Sequence, residues 1–116
     1  MGGAMTVVIP IRLESVSNLR EHWSKRARRT KAHRGAVSMF LGGHPRPALP
    51  VVVTLTRIAP RPLDKHDNLR SSAKAAVDAV AAWLGVADNH PSITWTYAQE
   101  RGAPRAYAVR IEVVGC

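Results

Sequence analysis

The run Val51-Val52-Val53-Thr54-Leu55-Thr56-Arg57-Ile58 constrains the fold more than any other part of this chain. Its β-branched residues are stiff at χ1 and suit a pleated surface, and a run of this length matches a strand and falls short of a helix. The flanks agree: Gly42, Gly43, Pro45, Pro47 and Pro50 precede it, and Ala59-Pro60-Arg61-Pro62 follows, so the chain is punctuated on both sides. This segment is expected at the centre of a sheet.

The other elements arrange themselves around it. Thr6 to Leu13 reads as a first strand. Ser15 to Leu41 has helical spacing, with Ser17 or Asn18 as the cap and Glu21 completing a capping box after Asn18. Leu19, Trp23 and Ala27 form one apolar stripe that puts Trp23 in the core, Val37, Phe40 and Leu41 extend the apolar face, and Gly35 is a point where the helix can divide in two. From Asn68 to Leu84 the positions Leu69, Ala73, Ala76, Val77, Val80 and Leu84 recur at three- and four-residue steps, predicting a second amphipathic helix ended by Gly85. Ala87 to Ser92 is a polar loop, and Ile93 to Gln99 and Ala106 to Val114 alternate as strands on either side of Gly102-Ala103-Pro104-Arg105. Trp95 and Tyr97 share one strand face and read as core or interface residues. The predicted order is β-α-β-α-β-β: an α+β (α/β sandwich) fold with a small mixed sheet flanked by two helices. At 116 residues and 46% hydrophobic, residues 1–116 suffice for one domain, with 1–5 outside the ordered part.

Charge narrows the partners. Seventeen Lys and Arg against eight Asp and Glu leave a formal net charge of +9, which favours a polyanion such as nucleic acid. No apolar run approaches the roughly 20 residues that span a bilayer, and Met1 to Pro10 lacks the features of a secretory signal, so a cytoplasmic protein with no membrane partner is expected. The one cysteine, Cys116, can form neither an intrachain disulfide nor a cysteine-based zinc site. Arg20, Lys25, Arg26, Arg28, Arg29, Lys31 and Arg34 crowd the first helix, a phosphate-binding surface of the kind that positions a protein on DNA without reading sequence.

Against that basic background, Leu63-Asp64-Lys65-His66-Asp67-Asn68-Leu69 keeps two carboxylates three positions apart. Carboxylate oxygens that converge hold hard cations, Mg²⁺ foremost, with Mn²⁺ as a substitute. Asp78 lies about 16 Å along a regular helix from Asp67, too far to share an ion, and pairs more economically with Lys74 at i,i+4. Asp88 follows the helix, and a return loop can bring it back. The candidate metal set is therefore Asp64, Asp67 and Asp88. Each has a plainer role open to it: Asp67 as a helix N-cap, Asp64 as a partner of Arg61 or Lys65, Asp88 as a turn residue. His66 and His90 flank these positions as alternative transition-metal ligands.

At Asp67-Asn68-Leu69, Lys74-Ala75-Ala76-Val77-Asp78-Ala79-Val80 and Gly85-Val86-Ala87-Asp88, the chain resembles the RusA family of Holliday junction resolvases, over about Val51 to Glu100. The resemblance implies a Mg²⁺-dependent endodeoxyribonuclease of phage or prophage type that acts on four-way junctions as a homodimer, with no small-molecule cofactor. It implies metal-binding roles for Asp67 and Asp88 and a catalytic role for Lys74, about 10 Å from Asp67 on one helix face. Three departures stand out. Lys65 replaces an aspartate two before Asp67, Ala87 replaces the first of two aspartates after the helix, and Arg70-Ser71-Ser72 is extra length before Lys74. A non-catalytic nucleic-acid-binding protein on the same fold is therefore the alternative, and a basic RNA-associated protein a third reading.

Overall fold

A computed structural model describes residues 4–13, 23–62 and 68–115. Its elements are β1 (Ala4–Ile9), α1 (Trp23–Leu41), β2 (Val51–Ala59), α2 (Asn68–Ser72), α3 (Lys74–Leu84), β3 (Ile93–Arg101) and β4 (Ala108–Gly115). With α2 and α3 counted as one interrupted helix, the order is β-α-β-α-β-β, an α+β fold around a mixed sheet.

The sheet runs β1-β4-β2-β3, so the Val51 run is central as its composition demands. On one side β2 pairs parallel with β3, Val51 opposite Ile93 and Leu55 opposite Tyr97; on the other it pairs antiparallel with β4, Leu55 opposite Ile111. β1 closes the far edge antiparallel to β4. β3 and β4, adjacent in sequence, do not pair with each other, because β2 lies between them. The parallel β2–β3 pair needs a crossover, and α2 with α3 supplies it.

Period-two alternation sorts the faces. Val7 and Ile9, Val51, Val53 and Leu55, Ile93, and Val109, Ile111 and Val113 point into one core with Val37 and Leu41 of α1 and Ala76, Val80 and Leu84 of α3. Of the residues between them, Thr6, Val8, Thr94 and Val114 on the outer strands and strand ends are exposed, while Val52, Thr54, Arg110 and Glu112 are half-buried. α3 is alanine-rich where it meets α1, so the two helices pack directly on each other. Gly85 ends α3 at φ 82°, with the Gly85 N–H on the Ala82 carbonyl and the Val86 N–H on the Ala81 carbonyl. That left-handed C-terminal turn is what glycine adopts at least cost. No helix among the described residues is long and apolar enough to cross a membrane.

Several expectations change. Ala4 and Met5 belong to β1, opposite Val114 and Val113, so order begins before residue 6. β1 ends at Ile9 because Pro10 has no N–H for the ladder. α1 runs unbroken through Gly35: a single glycine costs a helix only about 1 kcal/mol, which the packing of Val37 and Leu41 on either core layer outweighs. Trp23, 74% exposed, and Ala27, also exposed, are not core residues; the buried residues of α1, Val37 and Leu41, lie in its second half. Phe40 is 39% exposed while its neighbours Val37 and Leu41 are buried. Finally, Asn68 to Leu84 is two helices joined at Ala73, so Lys74 begins a helix separate from the one that starts at Asn68. The proposed cap at Ser17 or Asn18, Leu19 and Glu21 lie outside the described residues.

Candidate functional site

Arg57 holds the frame on which the site is built. It sits in phase with Val51, Val53 and Leu55, so strand geometry turns it inward, and it is only 7% exposed. Its Nε donates to the Leu13 carbonyl at 2.9 Å and its Nη1 to the Arg61 carbonyl at 2.7 Å. Burial, and then the neighbouring Arg12 charge, lower the guanidinium pKa, while Tyr107 acts the other way. Arg12 in turn stacks over the Tyr107 ring at 4.3 Å. One side chain thereby ties the end of the β1 segment to the exit of β2, just ahead of the acidic stretch.

Past that exit, α2 and α3 carry the chain back across the sheet, and the loop after Gly85 returns Asp88 to the start of α3. Lys74 and Asp88, fourteen positions apart, meet with Nζ 2.5 Å from Oδ2. Asp78, one helical turn on, holds the same ammonium at 3.1 Å and also accepts from Arg34 Nη2 at 3.2 Å. The result is a chain of alternating charge, Arg34–Asp78–Lys74–Asp88, linking α1, α3 and the loop. Its bonds to Asp88 and then Asp78 raise the Lys74 pKa; Lys74 lowers that of Asp88, helped by the backbone N–H groups of Asp88 and Asn89. The i,i+4 partnership expected for Asp78 and Lys74 is present.

The loop is fixed from both sides. Trp95 Nε1 donates to the Asp88 carbonyl at 2.8 Å, and His90 Nδ1 accepts from the Ser92 N–H at 3.1 Å. His90 thus has a bond inside its own loop. Beside Asp88 opens a cleft of about 750 Å³ between α1, the α2–α3 junction and β3. Arg26, Arg29 and His33 line it from α1, Arg70 and Lys74 from the crossover, and Asp88 from the loop. Four of these are Lys or Arg and one is a carboxylate, so the wall is basic. Trp95 and Tyr97 form its floor, half-buried against the core, and the Arg70 guanidinium stands 5.5 Å from the Tyr97 ring centre.

The residues singled out from sequence divide accordingly. Lys74 and Asp88 come together. Lys25, Arg26, Arg28, Arg29, Lys31 and Arg34 all lie on α1, exposed or half-exposed, with Arg26 and Arg29 on the cleft and Lys31 and Arg34 on a shallower groove beside Trp23. Asp64, Asp67, His66 and Arg20 lie outside the described residues. Among the described residues no three His, Cys, Asp or Glu side chains gather as metal ligands. Sequence reasoning missed Arg57, whose inward phase in β2 is readable from alternation, and Arg70, which it treated only as extra length. Trp95 and Tyr97, read as core or interface residues, do pack against the core, and their remaining surface faces the cleft.

No protein-family model matches this chain, and no curated protein matches it.

Proposed function

We propose that this protein is a Mg²⁺-dependent, structure-selective endodeoxyribonuclease of the RusA type that resolves four-way and other branched DNA junctions. The observation that carries the reading is the meeting of Lys74 with Asp88 on the wall of a basic cleft. Asp67 stands one residue ahead of α2, whose Arg70 lines that cleft. Asp88 is 38% exposed and offers hard oxygen donors, which is the ligand chemistry Mg²⁺ selects. Asp64, Asp67 and Asp88 would hold the ion. Bound there, Mg²⁺ supplies neutralising charge at the phosphoryl group and an acidified water.

The chain's own residues supply the rest. The α1 cations fix the sugar-phosphate backbone without reading bases. Lys74, positioned by Asp78 and Asp88, carries an ammonium that a phosphate entering the cleft can share. A four-way junction is two-fold symmetric and is resolved by paired cuts, so two copies related by a two-fold axis would present two such sites. The expected setting is the cytoplasm of a bacterium or phage-infected cell.

The test is cleavage of a synthetic four-way junction with Mg²⁺, and with Mn²⁺ in parallel, by wild type, Asp67→Asn, Asp88→Asn and Lys74→Ala. Undiminished cutting by any variant removes that residue from the mechanism. One observation favours the non-catalytic reading: Lys74 already neutralises Asp88, and Lys65 and Ala87 stand where the family has carboxylates. Junction binding with no metal-stimulated cleavage by wild type would establish that alternative.

A further inference from the structure

The cleft has a floor that phosphate binding does not need. Trp95 and Tyr97 are two residues apart on β3, an edge strand, in phase with buried Ile93, and both face the cleft that separates β3 from α1 and the α2–α3 junction. Both rings are only half-buried, in a cleft whose wall also carries the cations Arg26, Arg29, Arg70 and Lys74. The Trp95 N–H, the one polar group on that side chain, is spent on the Asp88 carbonyl at 2.8 Å. What the indole has left to offer a ligand is apolar surface. Arg70 stands over Tyr97 at 5.5 Å, adding a planar cation beside the second ring.

A ligand that satisfies both parts needs a flat aromatic body and an attached anion. Nucleotides have both. A duplex presents only base edges in its grooves, with every base face covered by its neighbours, so ring-on-ring contact demands a base that has left the stack. The cleft volume of about 750 Å³ falls in the range of small-molecule sites, room for a nucleotide and too little for a double helix. We propose that the cleft seats an unpaired base against Trp95 and Tyr97, with its phosphate toward Arg29 and Lys74. The preferred substrate is then DNA with an unstacked nucleotide at the branch. This rests on the nucleic-acid reading above and adds the state of the strand that is bound.

The experiment measures affinities by fluorescence anisotropy at one fixed salt concentration for a single-stranded oligonucleotide, the matching duplex, and four-way junctions with and without an unpaired nucleotide at the branch. A 2-aminopurine at that position reports stacking. Wild type should bind the single strand and the unpaired junction more tightly than the fully paired forms. Trp95→Leu and Tyr97→Leu should each weaken single-strand binding by about 5- to 150-fold, the span of one base–aromatic stack, and change duplex binding by less than about twofold. Trp95→Phe loses the bond to Asp88 but keeps a ring, so it should stay within about threefold of wild type; a loss equal to that of Trp95→Leu would assign the effect to the loop and overturn the inference. Equal losses on single strand and duplex, or none, also overturn it while leaving the nuclease reading intact. Failure of wild type to bind any of these DNAs overturns both.

Discussion

Replacing Arg57 tests whether the site hangs on a buried tether. Arg57→Met keeps the length and apolar stem of the side chain and removes the guanidinium, so the Leu13 and Arg61 carbonyls lose donors at 2.9 and 2.7 Å. A hydrogen bond from a charged donor contributes about 1.5–3 kcal/mol. The two carbonyls will not lose equally. Arg61 is exposed and its carbonyl can turn to water, whereas Leu13 is 2% exposed and its carbonyl has less recourse. Against this, the substitution relieves the desolvation of a charge held at 7% exposure with Arg12 nearby. The balance comes to a loss of about 2–4 kcal/mol, and at this chain length a Tm lower by roughly 8–16 °C. Urea unfolding followed by far-UV circular dichroism measures it, with an unchanged slope showing that the same transition is observed. Arg57→Lys should fall between the two, because one ammonium keeps the charge but cannot span both carbonyls. A cost under about 1 kcal/mol for Arg57→Met would refute the tether.

Three further outcomes follow from the geometry. Gly35→Ala should stabilise the fold by about 0.5–1 kcal/mol in the same urea assay, because a Cβ at that exposed helical position meets nothing within 4 Å. For the ion chain, the Asp88 pKa is depressed, so its pairing contributes above the ordinary carboxylate range and is lost as pH falls through the lowered value; the Lys74 pKa is raised, so its contribution is complete below the ordinary lysine range and is lost as pH rises through the raised value. The pair therefore holds across neutral pH, and Lys74→Met should move the Asp88 carboxyl titration, followed by NMR, upward toward an ordinary aspartate; an unmoved titration would show that the pair does not form in solution. On DNA, Arg26→Gln and Arg29→Gln should each reduce the slope of log affinity against log salt by roughly 0.7–0.9 if the side chain neutralises one phosphate. An unchanged slope would take that residue off the backbone.

Much of the fold was legible because its strongest signals are local. The Val51 run has β-branched residues, a strand's length and proline flanks, and its place at the sheet centre follows once both neighbours must be bonded. Alternation in 93–99 and 106–114 located β3 and β4, but local pattern cannot show that β2 lies between them; pairing is decided by which strands the crossover brings side by side. Helix ends and breaks failed for a related reason. Spacing alone made Gly35 a breaking point and left Ala73 inside a helix, yet the structure keeps the first continuous and interrupts at the second. Leu69 and Ala73 are both buried, so the interruption at Ala73 keeps the apolar positions on each side against the core.

The site was legible only in its parts. Asp88 and Lys74 were picked out as chemistry-bearing residues, but their contact depends on the loop returning to α3, and that loop is held by the Trp95 N–H on the Asp88 carbonyl together with the Ser92 N–H on His90. Trp95 read as core or interface because an aromatic on an apolar strand face normally is; it does pack against the core, and its remaining surface lines the cleft. Trp23, at the start of α1, is exposed. In both places a ring with exposed surface lies near cations: Arg26, Lys31 and Arg34 beside Trp23, Arg70 and Lys74 beside the β3 rings. Under the nucleic-acid reading proposed above, rings beside cations are the surface that meets base faces and phosphates together, which a net charge of +9 alone does not distinguish from any other basic surface.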